Sequence, residues 1–224
     1  MKALIFDSGP LINLSMNGLL YLIEELKKIF HGKFLITKEV KYEVVDRPVG
    51  IYRFELGALR VKSLIDRNIL ELPESLGISS ESLKKETNHF MDTANHSFNS
   101  NGEWIKIVSE AECSCLALSA ELTKKGMDNV IAIDERTTRV LAEKPENLAG
   151  LLSGKLHERV KLELKDFGLF NKFKFIRSTE LVYVAYKKDL LRISGPKVLE
   201  AVLYATKFKG SAVSFEEIEQ LKKL

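Results

Sequence analysis

Lys2-Ala3-Leu4-Ile5-Phe6-Asp7-Ser8-Gly9-Pro10-Leu11 is the stretch whose reading decides the fold. Four apolar residues in a row, closed by an acid and turn-forming residues, read as a strand buried on both faces. Pro10 then suits the first turn of a helix, where its missing N–H costs nothing. A second stretch repeats the pattern: Val130-Ile131-Ala132-Ile133 is closed by Asp134 and followed by a helical segment through about Glu143. Each aspartate stands at the carboxyl end of a strand, where open α/β sheets place their ligand crevice.

Between and beyond these stretches, strand and helix patterns alternate. Leu11, Leu14, Leu19, Leu22, Leu26 and Phe30 recur at helical spacing with a break near Gly18. Lys33–Ile36 reads as a short strand and Lys38–Asp46 as a helix that stops before Pro48. Ile51–Asp66 reads as a helix and Asn68–Leu72 as a weak strand. Ser79 or Ser80 caps a helix reaching Phe98, and Asn99–Gly102 is a turn. Trp104–Val108 reads as a strand, followed by a helix stopped at Gly126. The series predicts an α/β fold, three layers α/β/α around a mostly parallel sheet. Pro, Asn, Gly and Ser cluster around 145–154, which divides the chain into a domain over 1–150 and a small α+β extension over 151–224. In the extension, a helix is expected at 155–166 and strands at 172–177, 180–186 and 190–193. Helices from Pro196 and Ser214 complete it.

Composition narrows the class. The 224 residues are 45% hydrophobic and 29% charged, ordinary for a globular chain. No run of about 18 apolar residues is present, so no membrane partner is expected, and the N-terminus does not read as a signal peptide. Cys113 and Cys115 lie two apart on a predicted helix and read as buried small side chains; no second Cys/His cluster completes a zinc site. A reducing, cytoplasmic setting follows. His31, His89, His96 and His157 are scattered and read as structural or exposed. The net charge of +3 is uneven: 19 Lys/Arg against 22 Asp/Glu in 1–150, but 15 against 9 in 151–224. That split pairs an acidic site region with a basic segment able to meet nucleic acid.

Four acids are candidate site residues: Asp7, Glu43, Glu112 and Asp134. Each has a structural explanation. Asp7 and Asp134 can cap the helices that follow them. Ser109-x-x-Glu112 is a capping box, in which the glutamate reaches back to the cap amide. Glu43 can be a solvated helix charge. Glu110 and Glu39 are the alternatives to Glu112 and Glu43. Taken together, two strand ends and two helix starts can converge on one pocket. Clustered carboxylates are costly without a cation, and a hard ion such as Mg²⁺ takes oxygen ligands.

The same residues carry a resemblance. Asp7-Ser8-Gly9-Pro10-Leu11-Ile12, Ile36–Glu43, Ser109-Glu110-Ala111-Glu112 and Ile133–Arg139 resemble, in order, the four acidic elements of PIN domains, a family of metal-dependent ribonucleases. The likeness covers roughly residues 1–150. It implies that Asp7, Glu43, Glu112 and Asp134 are catalytic and bind Mg²⁺ or Mn²⁺, and that an activated water hydrolyses RNA phosphodiester bonds. It favours Glu112 and Glu43 over their neighbours. Ser8, Arg136 and Thr138 are candidates for supporting the site. A haloacid-dehalogenase-like phosphatase would need a second Asp where this chain has Gly9. A catalytically silent module binding RNA or protein is the alternative, as is the toxin of a toxin–antitoxin pair. An antitoxin partner is not favoured, because of the extension; a homodimer is a candidate assembly. In 172–177, Lys172 and Lys174 share one strand face and Phe173 and Phe175 the other, so Lys172, Lys174 and Arg177 are candidate phosphate contacts.

Overall fold

The computed structural model describes residues 1–164 and 167–224. The chain opens with β1 (Lys2–Phe6), α1 (Ser8–Met16) and α2 (Tyr21–Phe30), then β2 (Lys33–Leu35) and α3 (Lys38–Lys41). A π-helical turn over Tyr42–Asp46 leads to α4 (Tyr52–Asp66), and a 3₁₀ turn at Pro73–Leu76 leads to α5 (Ser80–Asn95). β3 (Phe98–Ser100), β4 (Glu103–Trp104), α6 (Glu110–Lys124), β5 (Asp128–Ala132) and α7 (Arg136–Glu143) follow. The last third holds α8 (Pro145–Leu156), β6 (Lys161–Leu162), β7 (Phe175–Ile176), α9 (Ser178–Lys187), α10 (Val198–Phe208) and α11 (Phe215–Leu221).

The central sheet has the order β2-β1-β5-β7 and is parallel throughout. Helices flank it in an α/β/α arrangement. Lys2 to Phe6 lie opposite Asp128 to Ala132, and Ile131 and Ala132 lie opposite Phe175 and Ile176. This register brings the carboxyl ends of three strands side by side, with Asp7, Asp134 and Ser178 just beyond them. The continuous apolar run of β1 follows from burial on both faces: Ala3, Leu4, Ile5 and Phe6 are all inside. α6 is buried nearly all round, because it packs on β1 and β5 and is covered by α5. Its small residues Ala111, Cys113, Ser114, Cys115 and Ala117 permit that close approach. A second, antiparallel sheet has the order β4-β3-β6, and its Phe98 is buried in the common core. Asn101 and Gly102, both at positive φ, make the two-residue turn between β3 and β4.

Several local expectations are corrected. Residues 180–186 form part of helix α9, not a strand. Their β-branched and aromatic content favours a strand. However, Leu181, Val182 and Ala185 bury one helical stripe, α9 packs against α10, and Glu180 Oε2 accepts Arg177 N at 2.7 Å. Residues 190–193 form no strand either; Asp189 turns the chain at φ 54, and Arg192 N donates to Tyr21 Oη at 3.0 Å. Of 68–72, only Glu71 pairs, in an isolated bridge with Leu35, because Asn68 is left-handed and Pro73 lacks a donor. Of 104–108, only Trp104 lies in a strand; Ile107 N and Val108 N donate to the Asn95 side chain instead. The helix expected over 155–166 lies earlier, as α8, and ends at His157 with φ 56; positions 165 and 166 fall outside the described residues. In 172–177 the strand is short, but the alternation holds, with Lys172 and Lys174 exposed and Phe173 and Phe175 half-buried.

Candidate functional site

Asp7 caps α1 from the end of β1. Its backbone N donates to Ala132 O at 2.9 Å, and its Oδ2 accepts Gly9 N at 3.2 Å. Oδ1 is buried and has no hydrogen-bond partner among the described residues. The side chain is only 3% exposed. Burial pushes the carboxyl from an ordinary 3.8 up to about 7; the Glu112 and Glu43 carboxylates add to the rise, and amides at the helix start oppose it. A buried acceptor without a donor is costly, and a cation or a proton relieves it.

Glu112 completes the capping box that its spacing predicts: Ser109 N donates to Oε2 at 2.7 Å and Glu112 N to Ser109 Oγ at 3.3 Å. Burial raises its pKa, and Glu135 and Glu43 raise it further. Glu112 is therefore a cap and a member of the acid cluster at once. Glu110 turns outward and pairs with Lys84. Glu43 sits in the π-helical turn, closed by Arg47 N donating to Tyr42 O at 2.9 Å. Such turns insert one residue into a helix and re-aim the side chains beside it, often at functional sites. The buried Thr37–Ser114 hydroxyl contact of 2.6 Å ties the start of α3 to α6, and so holds the two helices bearing Glu43 and Glu112 together. Glu43 also lines an apolar cleft of about 470 Å³ shared with Arg47, Arg53 and Arg60.

Asp134 is anchored rather than free. Ser178 N donates to Oδ1 at 2.8 Å and Asn13 Nδ2 to Oδ2 at 3.0 Å. Burial raises its pKa and these hydrogen bonds hold it back. Asn13 also donates to Thr206 O at 2.8 Å, so the same amide links α1 directly to α10 and to the acid. Gly9 is what lets the two aspartates approach: a Cβ there would stand 3.3 Å from Asp134 Cβ and 3.4 Å from Asp7 Oδ2.

The acids named from sequence therefore meet unequally. Asp7, Glu43 and Glu112 act on one another electrostatically; Asp134 lies across Gly9 from Asp7, held by partners of its own. Sequence reasoning missed Glu135, Asn13 and Ser178. Glu135 caps α7, accepting Thr138 N at 2.8 Å, and its charge reaches Glu112. Its Glu-x-x-Thr cap spacing was the available signal; for Asn13 and Ser178 there was none. Of the supporting candidates, Ser8 opens α1, Thr138 has a buried hydroxyl without a partner among the described residues, and Arg136 is exposed. Arg177 is not the free phosphate contact that its place beside Lys174 suggested. It is buried, with its guanidinium held by Glu180, Glu217 and Ala212 O. Both cysteines are buried free thiols; burial pushes Cys113 up to about 12 and Cys115 well above its usual range.

Among the described residues, no three His, Cys, Asp or Glu side chains are drawn together tightly enough to hold one ion as they stand. Among the described residues, no helix is long and apolar enough to cross a membrane. In comparisons with protein-family models, curated proteins and solved structures, nothing matches this chain. What fold and site define is a class: an α/β/α protein with a carboxylate cluster at the carboxyl edge of its parallel sheet.

Proposed function

We propose that this protein is a metal-dependent endoribonuclease of the PIN-like kind, hydrolysing RNA phosphodiester bonds with Mg²⁺ or Mn²⁺. The observation that carries the reading is the Asp7 carboxylate, whose Oδ1 is buried without a partner among the described residues, in the field of Glu112 and Glu43. The donor set is all oxygen, which suits a hard cation. Asp7, Glu43 and Glu112 would hold the ion, and Asp134, each of whose oxygens keeps a second lone pair, would complete the set from its anchored position. When bound, the ion supplies Lewis-acid polarisation of a phosphoryl oxygen and lowers the pKa of a water. The chain's part is orientation. The capping bonds to Asp7 and Glu112 fix their rotamers, Gly9 keeps the two aspartates close, and Asn13 and Ser178 N hold Asp134 still. Glu135 keeps the local field negative.

A second reading, a module that binds RNA or protein without turnover, draws on the spacing of the acids, which form no ready cage. One experiment separates them. Mixed single-stranded and structured RNAs are incubated with the protein in Mn²⁺, in Mg²⁺ and in EDTA. Cleavage that needs the metal and disappears in Asp7→Asn supports the nuclease. RNA left intact in both metals, with protein shown to be folded, overturns it and leaves the binding module.

A further inference from the structure

A second cavity lies beside the acids, and the chemistry assigned to the acids makes no use of it. It measures about 560 Å³, in the range of small-ligand sites, and opens between α7, α10 and α11. Its wall is joined to the acid cluster by the hydrogen bond from Ala212 N to Asp134 O, 3.0 Å. Four cations line it, Arg136, Arg139, Arg177 and Lys207, against the carboxylates of Glu143 and Glu217. They are not equivalent. Arg177 is neutralised by Glu180 and Glu217. Lys207 donates to Val213 O and lies 4.3 Å over the Phe215 ring.

The other two are less tied: Arg139 makes only a loose pair with Glu143 on its own helix, and Arg136 makes none among the described residues. Arg139 Nε is buried and has no hydrogen-bond partner among the described residues, and its terminal nitrogen stands 3.7 Å from Glu143, beyond hydrogen-bond reach. Arg136, one turn earlier on α7, is exposed and has no ion pair among the described residues. The exposed Arg136 guanidinium, and the terminal nitrogens of Arg139 rather than its buried Nε, present donors that match the oxygens of a phosphate. At the rim stands Phe208, 71% exposed. Tyr204 stacks against it with ring centroids 6.1 Å apart and planes 23° apart, and Phe215 packs beside both. An exposed ring, backed by a second ring and set at the mouth of an arginine-lined cavity, is a platform for a nucleobase.

We propose that this cavity binds a nucleoside phosphate, with the phosphate on Arg136 and Arg139 and the base on Phe208. The shared chemistry has two sources, a free mononucleotide or one unit of an RNA strand passing the acid cluster. The inference does not depend on turnover: binding is measured in EDTA, so its failure and that of the nuclease reading are separable.

The test is calorimetric titration at low salt with AMP, UMP and a fluorescently unlabelled pentaribonucleotide. Arg136→Gln, Arg139→Gln and Phe208→Ser are compared with Lys125→Gln, an exposed charge loss on the far end of α6. Each cavity variant is expected to weaken binding about tenfold, as loss of one charge-assisted contact or one stacked base predicts, while Lys125→Gln changes it less than twofold. Arg136 and Phe208 are exposed, so their variants stay folded even if Arg139→Gln does not. With binding weakened in Arg136→Gln and Phe208→Ser, mononucleotide affinity within tenfold of the pentamer identifies a free nucleotide as the ligand, and pentamer binding more than tenfold tighter identifies the strand; binding that both variants leave unchanged overturns the site. No binding by any of the three probes overturns it. So does a loss in Lys125→Gln equal to that in Arg136→Gln, which would assign binding to overall charge.

Discussion

Replacing Asp7 with Asn tests the account of the acid cluster through stability alone. The Asp7 carboxyl titrates near 7 in the folded chain and at its ordinary 3.8 when unfolded. The folded state therefore binds the proton more tightly, and stability falls as pH rises from about 4 to about 7. At 1.36 kcal/mol for each unit separating the two values, the ionised carboxylate costs folding about 4 kcal/mol above pH 7. The side chain is 3% exposed, so solvent screens little of this. Asparagine keeps an oxygen to accept Gly9 N and removes the charge. In urea titrations with EDTA, Asp7→Asn should match the wild type at pH 4 and exceed it by about 3 kcal/mol at pH 8, allowing some loss for its amide donors. With Mn²⁺ present the order should reverse, because binding stabilises only the chain that holds the ion. A variant less stable than wild type at pH 8, or a difference that does not change with pH, would show that Asp7 is only a helix cap.

Three further outcomes follow from named contacts. Glu112→Gln should keep the capping box and stay within about 1 kcal/mol of wild-type stability, yet lose RNA cleavage, whereas Glu110→Gln should cleave normally because Glu110 faces Lys84. Rates for the two variants in Mn²⁺ decide it, and the reverse pattern would reassign the third ligand. Arg177→Met should cost about 2 kcal/mol by urea titration, less than a fully buried ion pair because Glu217 is 43% exposed. Its salt dependence of RNA binding should not change. The paired substitution of Lys172 and Lys174 by Ser, at two exposed positions, should flatten the salt slope of RNA binding by about two; an unchanged slope removes these lysines from the interface.

Much of the core was legible in sequence, for a local reason. A strand buried on both faces must be continuously apolar, so Ala3–Phe6 and Val130–Ile133 announced the centre of the parallel sheet, and the acids that close them marked its carboxyl edge. The Ser109–Glu112 box was equally local: both bonds form within one turn and appear as expected. The shape of the site was not local. Asn13 reaches Asp134 across 121 positions and Ser178 N across 44, and nothing in either short stretch marks them for that contact. Helix α9 shows the same limit in secondary structure. Its valines and tyrosines favour a strand, but burying Leu181, Val182 and Ala185 against α10 outweighs a propensity difference of about 1 kcal/mol. Arg177 follows from α9: once the next residues turn helical, its guanidinium falls between Glu180 and Glu217 instead of facing solvent. Sequence by itself determined the strand ends, the caps and the acidic residue types, because each depends on neighbours within about four positions. Tertiary structure alone decided which acids are free and which are anchored, because a buried carboxylate is defined by the donors that distant segments bring to it.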